Sequence, residues 1–139
     1  MGRVLAVDPG EKRIGLALSD PSGTIANPYR VILHIAREID AAKIAEIAAE
    51  NEVQTVVIGQ ALDSEGQIGP QARKSQRLAD AFSEKSKVPV VLWDESDSTQ
   101  IARKARVAMK TSRSKRKGHM DDLAATVILQ SYLDSRSPI

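Results

Sequence analysis

The chain contains no cysteine, which excludes disulfides, thiolate metal sites and cysteine nucleophiles and fits a reducing compartment. Aromatic residues make up only 3%, with Tyr29, Phe82, Trp93 and Tyr132 the full set. A platform that stacks successive unpaired bases is hard to build from so few. No apolar run approaches the ~20 residues of a membrane span, and the N-terminus lacks the charged-then-apolar pattern of a secretory signal. The expectation is a cytoplasmic protein with no membrane partner. An excess of one charge is lacking too: 20 basic residues against 18 acidic ones leave a net charge of +2. Any attraction to a polyanion must therefore come from how the charges are distributed.

The 139 residues, 42% hydrophobic and 27% charged, have the size and composition of one globular domain. The expected domain spans residues 1–134, with 135–139 as a disordered tail. The basic residues are unevenly spread. Between Arg103 and Lys117 lie eight of the 20, with no acid among them: Arg103, Lys104, Arg106, Lys110, Arg113, Lys115, Arg116 and Lys117. Such a run is either a solvated, self-repelling loop or a surface that binds phosphates through counterion release.

Arg3 to Asp8 reads as a buried strand ending at a Pro9-Gly10 turn. Arg13 to Ser19 is a second strand. After the Asp20-Pro21-Ser22-Gly23 turn, Thr24 to Leu33 is a third, interrupted at Asn27-Pro28. Ile39, Ala42, Ile44, Ile47 and Ala48 recur at helical spacing within 36–51. Val53 to Ile58 is apolar enough to be a strand buried on both faces, and Gly59 to Gly69 reads as a loop. Helices are expected over 70–85, 98–109 and 120–133, a strand over 88–93, and a basic loop over 110–118. The order βββαβαβαα implies an α/β fold of the following kind: a five-stranded mixed sheet, three strands in an antiparallel meander and the rest parallel, flanked by helices.

The acids are placed where this architecture would gather them. Asp8 ends the first strand, Asp94-Glu95 end the last, and Asp121-Asp122 open the final helix after the basic run. Carboxylates delivered by separate elements suit a hard divalent cation, Mg²⁺ or Mn²⁺. Two such cations can clamp the attacking and leaving oxygens of a phosphodiester. Each acid has a plainer explanation as well: a turn-initiating Asp8, an Asp94 or Glu95 complementing a helix dipole, a capping Asp121 or Asp122. Strand alternation points Asp94 and Glu95 to opposite sides. Gly10 lets the chain turn away without a Cβ in the way of a bound phosphate. His119 is a candidate proton shuttle or an exposed loop histidine, and His34 reads as structural. Lys12 and Arg13, in the turn after Gly10, join Arg113, Lys115, Arg116 and Lys117 as candidate phosphate contacts.

Several ordered stretches resemble one family. They are Ala6-Val7-Asp8-Pro9-Gly10, Lys12 to Ala17, Ser19-Asp20-Pro21, Val57-Ile58-Gly59 with Leu62, Gly66 and Gly69-Pro70, Asp94-Glu95 with Ser98-Thr99, and Lys115-Arg116-Lys117 with Asp121, Ala124-Ala125 and Ile128-Leu129-Gln130-Ser131-Tyr132-Leu133. Over nearly its full length the chain resembles the YqgF family of bacterial pre-16S rRNA nucleases and Holliday-junction resolvases, within the RNase H-like superfamily. The resemblance implies a catalytic metal site of Asp8, Glu95 and Asp121; Asp94, Asp122, Gly10 and His119 stand beside it as supporting residues on the grounds given above. It also implies hydrolysis without a covalent intermediate, acting on ribosomal RNA precursor or on branched or single-stranded DNA. A resolvase would work as a homodimer, whereas an rRNA nuclease could be a monomer. Two departures stand out. Ser96-Asp97 follow the acidic pair where the family carries Arg and an apolar residue, and Asp63 stands for the family's Asn. Ser96-Asp97 remove a planar fork for the phosphate, which keeps open a catalytically weak nucleic-acid-binding protein. The Asp8-x-Gly10-x4-Gly15 opening is also shared with sugar kinases and actin-like ATPases, but those need two lobes of this fold.

Overall fold

A computed structural model describes residues 2–62, 65–95 and 121–136, and only the backbone of Asp121 and Asp122. In chain order the elements are β1 (Arg3–Pro9), β2 (Arg13–Ser19), β3 (Ala26–Leu33), α1 (Arg37–Glu50), β4 (Val53–Gln60), α2 (Pro70–Lys85), β5 (Val90–Asp94) and α3 (Asp121–Ser135). The sheet order is β3-β2-β1-β4-β5. β1–β2 and β2–β3 are antiparallel, whereas β1–β4 and β4–β5 are parallel. The expected mixed sheet is therefore formed. The helix expected over 98–109 and the basic loop lie outside the described residues.

β1 is central, and its unbroken apolar run is explained by burial on both faces. Leu5 and Val7 pack with Ile14, Leu16, Ile58 and Phe82 under α1 and α2. Val4 and Ala6 face the other way, with Ala17, Val57, Ile128 and Tyr132 under α3. Among the described residues no helix is long and apolar enough to cross a membrane.

Where element ends differ from expectation, particular contacts account for it. β3 starts at Ala26 rather than Thr24 because the Asp20 carboxylate captures the preceding amides: Oδ1 accepts from Thr24 N–H at 2.8 Å and Ile25 N–H at 2.9 Å. Within β3 the register steps from Arg30 to Pro28 opposite Leu16 and Ala17, leaving Tyr29 as a bulge beside a proline that has no N–H to donate. β4 runs on through Gly59 and Gln60, which pair with Trp93 and Asp94, so the expected loop begins two residues later. α3 extends to Ser135, two residues past the helix end expected at 133, and Arg136 N–H still bonds Leu133 O at 3.1 Å.

α1 buries Asp40, Ala41, Ile44, Ile47 and Ala48, while Ile39 is 52% exposed. Helical spacing alone groups Ile39 with the buried positions, so its exposure departs from the expectation. Asp40 turns the helix inward because its carboxylate meets His34 Nδ1 at 2.5 Å and accepts from Ile35 N–H at 3.0 Å. His34 thus ties β3 to α1, a structural role.

Candidate functional site

Asp8 is the penultimate residue of β1, at the carboxyl end of the central strand, where open α/β sheets place ligands. It pairs across the sheet with Gly15 of β2, and residues directly opposite share a face. On the other side Val7 pairs with Ile58, which puts Gly59 level with Asp8 on β4. Asp8 therefore lies between two strand positions with no side chain. By alternation from Ala6 all three lie on the α3 face.

β5 brings up the second acid. Val91 and Trp93 pack on the α3 side, while Val90 and Leu92 pack on the α1/α2 side. Alternation carries Glu95 to the α3 face and Asp94 to the other. The backbone of Glu95 is held by its N–H donating to Gln60 O at 2.9 Å. Its carboxylate occupies the room left by Gly59, where a Cβ would sit 2.4 Å from Glu95 Oε2 and 2.5 Å from Ile128 Cδ1.

Electrostatics follow from that placement. The Glu95 carboxyl is pushed up from 4.5 to about 7, first by burial, then by the Asp8 carboxylate, then by Asp94. No hydrogen-bond donor among the described residues reaches that carboxylate. Two acids thus converge on one face, and the charge of Asp8 raises the proton affinity of Glu95, which is the donor chemistry a hard dication fits. Described side chains alone provide no group of three ligating residues. The third expected member, Asp121, is the first residue of α3, four positions before Ala125, and its side chain and that of Asp122 lie outside the described residues. So do His119, Arg113, Lys115, Arg116, Lys117, Ser96, Asp97 and Asp63. Lys12, in the β1–β2 turn, and Arg13, the first residue of β2, are exposed at the same sheet edge as Asp8.

Gly10 has a physical reason within the turn itself. Its N–H donates to Arg13 O at 2.9 Å, and a Cβ there would meet that carbonyl at 2.4 Å. The turn itself demands the glycine, independent of any ligand.

Sequence reading missed the residues that hold this edge from behind. α2 sends three side chains to backbone carbonyls: Gln71 Nε2 to Pro9 O at 3.2 Å, Lys74 Nζ to Gly10 O at 2.7 Å, and buried Ser75 Oγ to Gly59 O at 2.8 Å. They fix the ends of β1 and β4 on which Asp8 and Gly59 sit. The available signals were a glycine closing an apolar strand and a serine on the buried face of a helix. Other resembling stretches serve the fold. Gln130 Oε1 accepts from Ala26 N–H at 3.0 Å while its Nε2 donates to Thr24 O at 3.2 Å, and Trp93 Nε1 donates to Ser131 Oγ at 3.0 Å.

Residues 2–135 match the sequence model of the RuvX family, described as a Holliday junction resolvase. A protein of Geobacillus sp. named "Putative pre-16S rRNA nuclease" is 41% identical over 136 residues, covering 96% of this chain and 99% of that protein. One of Caldanaerobacter subterraneus with the same name is 42% identical over 135 residues, covering 96% and 97%. Among solved structures, Thermus thermophilus RuvC in complex with a Holliday junction substrate aligns with a TM-score of 0.65 at 16% identity, covering 98% of this chain and 96% of that one. The fowlpox virus Holliday junction resolvase aligns with a TM-score of 0.61 at 16% identity, covering 96% and 98%. At such identities the likeness establishes a common fold.

Proposed function

The chain belongs to the RuvX family, also called YqgF, and from that membership we propose a nuclease that hydrolyses phosphodiester bonds with Mg²⁺ or Mn²⁺ held by Asp8, Glu95 and Asp121. The observation that carries this reading is the meeting of Asp8 and Glu95 on the α3 face, with Glu95 pushed up to about 7. A cation bound there supplies Lewis-acid polarisation of the phosphate and a more acidic attacking water. The protein's own part is positional. Gln60 O anchors the backbone of Glu95, Gly59 leaves room for its carboxylate, and α2 holds the β1 and β4 ends in place. Lys12 and Arg13 draw the polyanion to this edge, together with Arg113, Lys115, Arg116 and Lys117. Asp94, Asp122 and His119 support the site.

The substrate is the precursor of 16S ribosomal RNA in the bacterial cytoplasm; relatives 38–42% identical bear that name. A second reading, resolution of four-way DNA, is favoured by the family model's own description. The deciding experiment incubates the protein with labelled precursor RNA, single-stranded RNA and four-way DNA in Mg²⁺, Mn²⁺ or EDTA. Cleavage of precursor RNA, abolished by EDTA and by Asp8→Asn, Glu95→Gln or Asp121→Asn, is expected. Variants that cleave as well as wild type would sink the metal-site assignment, and cleavage confined to the junction would move the substrate to DNA.

A further inference from the structure

Behind the acidic edge, on the opposite face of the sheet, lies a pocket of about 320 Å³ whose walls include Gly10, His34, Arg37, Asp40, Lys74 and Arg77. We propose that this pocket binds a phosphate group, giving the protein a second phosphate grip distinct from the Asp8–Glu95 site.

Three cations converge on it from two helices. Arg37 is the first residue of α1, and Lys74 and Arg77 are one turn apart on α2. Neither arginine makes a side-chain hydrogen bond or an ion pair among the described residues. Lys74 Nζ gives one proton to Gly10 O at 2.7 Å, which fixes the ammonium at the pocket wall with two protons left. The one carboxylate in the lining, Asp40, is already engaged with His34 Nδ1 at 2.5 Å and Ile35 N–H at 3.0 Å. Glu38, the other acid in the first turn of α1, pairs with Lys85 Nζ at 2.7 Å. Both helices also start here without a side-chain cap, at Ala36 and Gly69, so their first-turn dipole ends add to the positive potential.

Three cations lining one pocket, where the lining carboxylate Asp40 is already engaged and Glu38, paired with Lys85, reaches Arg37 only through its field, suit planar guanidinium recognition of phosphate. The volume is at the small end of ligand pockets, enough for a phosphate and its sugar. Its position also matters: Gly10 lines it, and Gly10 is two residues after Asp8. A nucleic-acid strand crossing the β1–β2 turn, past exposed Lys12 and Arg13, would meet both sites. The nuclease reading enters only in naming that strand; the phosphate chemistry stands without it. A free nucleotide offers the same group.

The test measures binding in EDTA, where cleavage plays no part. Affinity of wild type for a 12-nucleotide RNA is measured by anisotropy across salt concentrations, and affinity for AMP by calorimetry. The double variant Arg37→Ala/Arg77→Ala is compared with Lys87→Ala, which removes an exposed cation that does not line the pocket. RNA affinity is expected to fall about tenfold and the log–log salt slope by about one in the double variant, with Lys87→Ala near wild type. Loss of AMP binding with RNA affinity intact would assign the pocket to a free nucleotide, still as a phosphate site. Unchanged affinity for both probes, or an equal loss in Lys87→Ala, overturns the proposal. Because cleavage is not read, an inactive protein that shows the expected binding loss would refute the nuclease and leave the pocket standing.

Discussion

Two carboxylates at opposite ends of the sheet are treated in opposite ways. Asp20, just past the end of β2, is held well below the ordinary carboxylate range, chiefly by the Ile25 amide, then by the Ser22 hydroxyl and the Thr24 amide. Glu95, just past the end of β5, is pushed up to about 7 by burial and by Asp8 and Asp94. At one end donors from the next five residues satisfy an anion; at the other, anions from separate strands are brought together. The first arrangement stabilises its turn and has no further capacity. The second sets acids from separate strands in one field, and a protein tolerates such a cost where it serves function.

The largest expected effect comes from breaking the charged end directly. Removing the Asp8 carboxylate as Asp8→Asn should lower cleavage by more than the 10–100-fold typical of groups that merely support a metal ligand. Gly59→Ala tests the same end more gently. The new Cβ would press on Glu95 Oε2 and Ile128 Cδ1, at 2.4 and 2.5 Å. Because the Ile128 tip can move while Glu95 must also shift, cleavage should drop on the order of 10-fold, with a stability loss of about 1 kcal/mol. Full activity in Gly59→Ala would remove the role assigned to that gap.

Glu95→Gln sharpens the comparison through stability. Between pH 4.5 and about 7 the folded protein keeps a proton that the unfolded chain gives up, so stability falls as pH rises through this window. Without added metal, Glu95→Gln should therefore be more stable than wild type at pH 8, by about 1–2 kcal/mol after allowing for partial exposure. The gain should vanish at pH 4, and denaturant melts at the two pH values measure it. Asp20→Ala should behave inversely and more weakly. It costs about 1 kcal/mol at neutral pH, and the deficit closes as pH falls below the ordinary 3.8, because the wild type loses the same interaction there. Cleavage in Asp20→Ala should match wild type.

Much of this was legible in advance because it is local. Strand-end acids, the Asp20 turn and the start of α2 at Pro70 are set by residues within a few positions of one another. Alternation separates Asp94 from Glu95 because the pleat has a period of two. Other features needed the third dimension. Ile39 has helical spacing, yet Asp40 is buried in its place, because a histidine from the neighbouring strand waits for it. Gly10 also gives clearance to the Arg13 carbonyl, a contact that its own turn does not reveal until the chain is folded.

The order of elements, the placing of acids at strand ends and the family itself follow from the linear chain, since each depends on short-range periodicity or on motifs in sequence order. Folding alone decided that Glu95 shares a face and a field with Asp8, 87 residues earlier in the chain. It alone set Ser75 under Gly59 and turned Arg37, Lys74 and Arg77 toward one pocket. Fields and cavities depend on distances through space, and those arise only once the sheet has been closed by its helices.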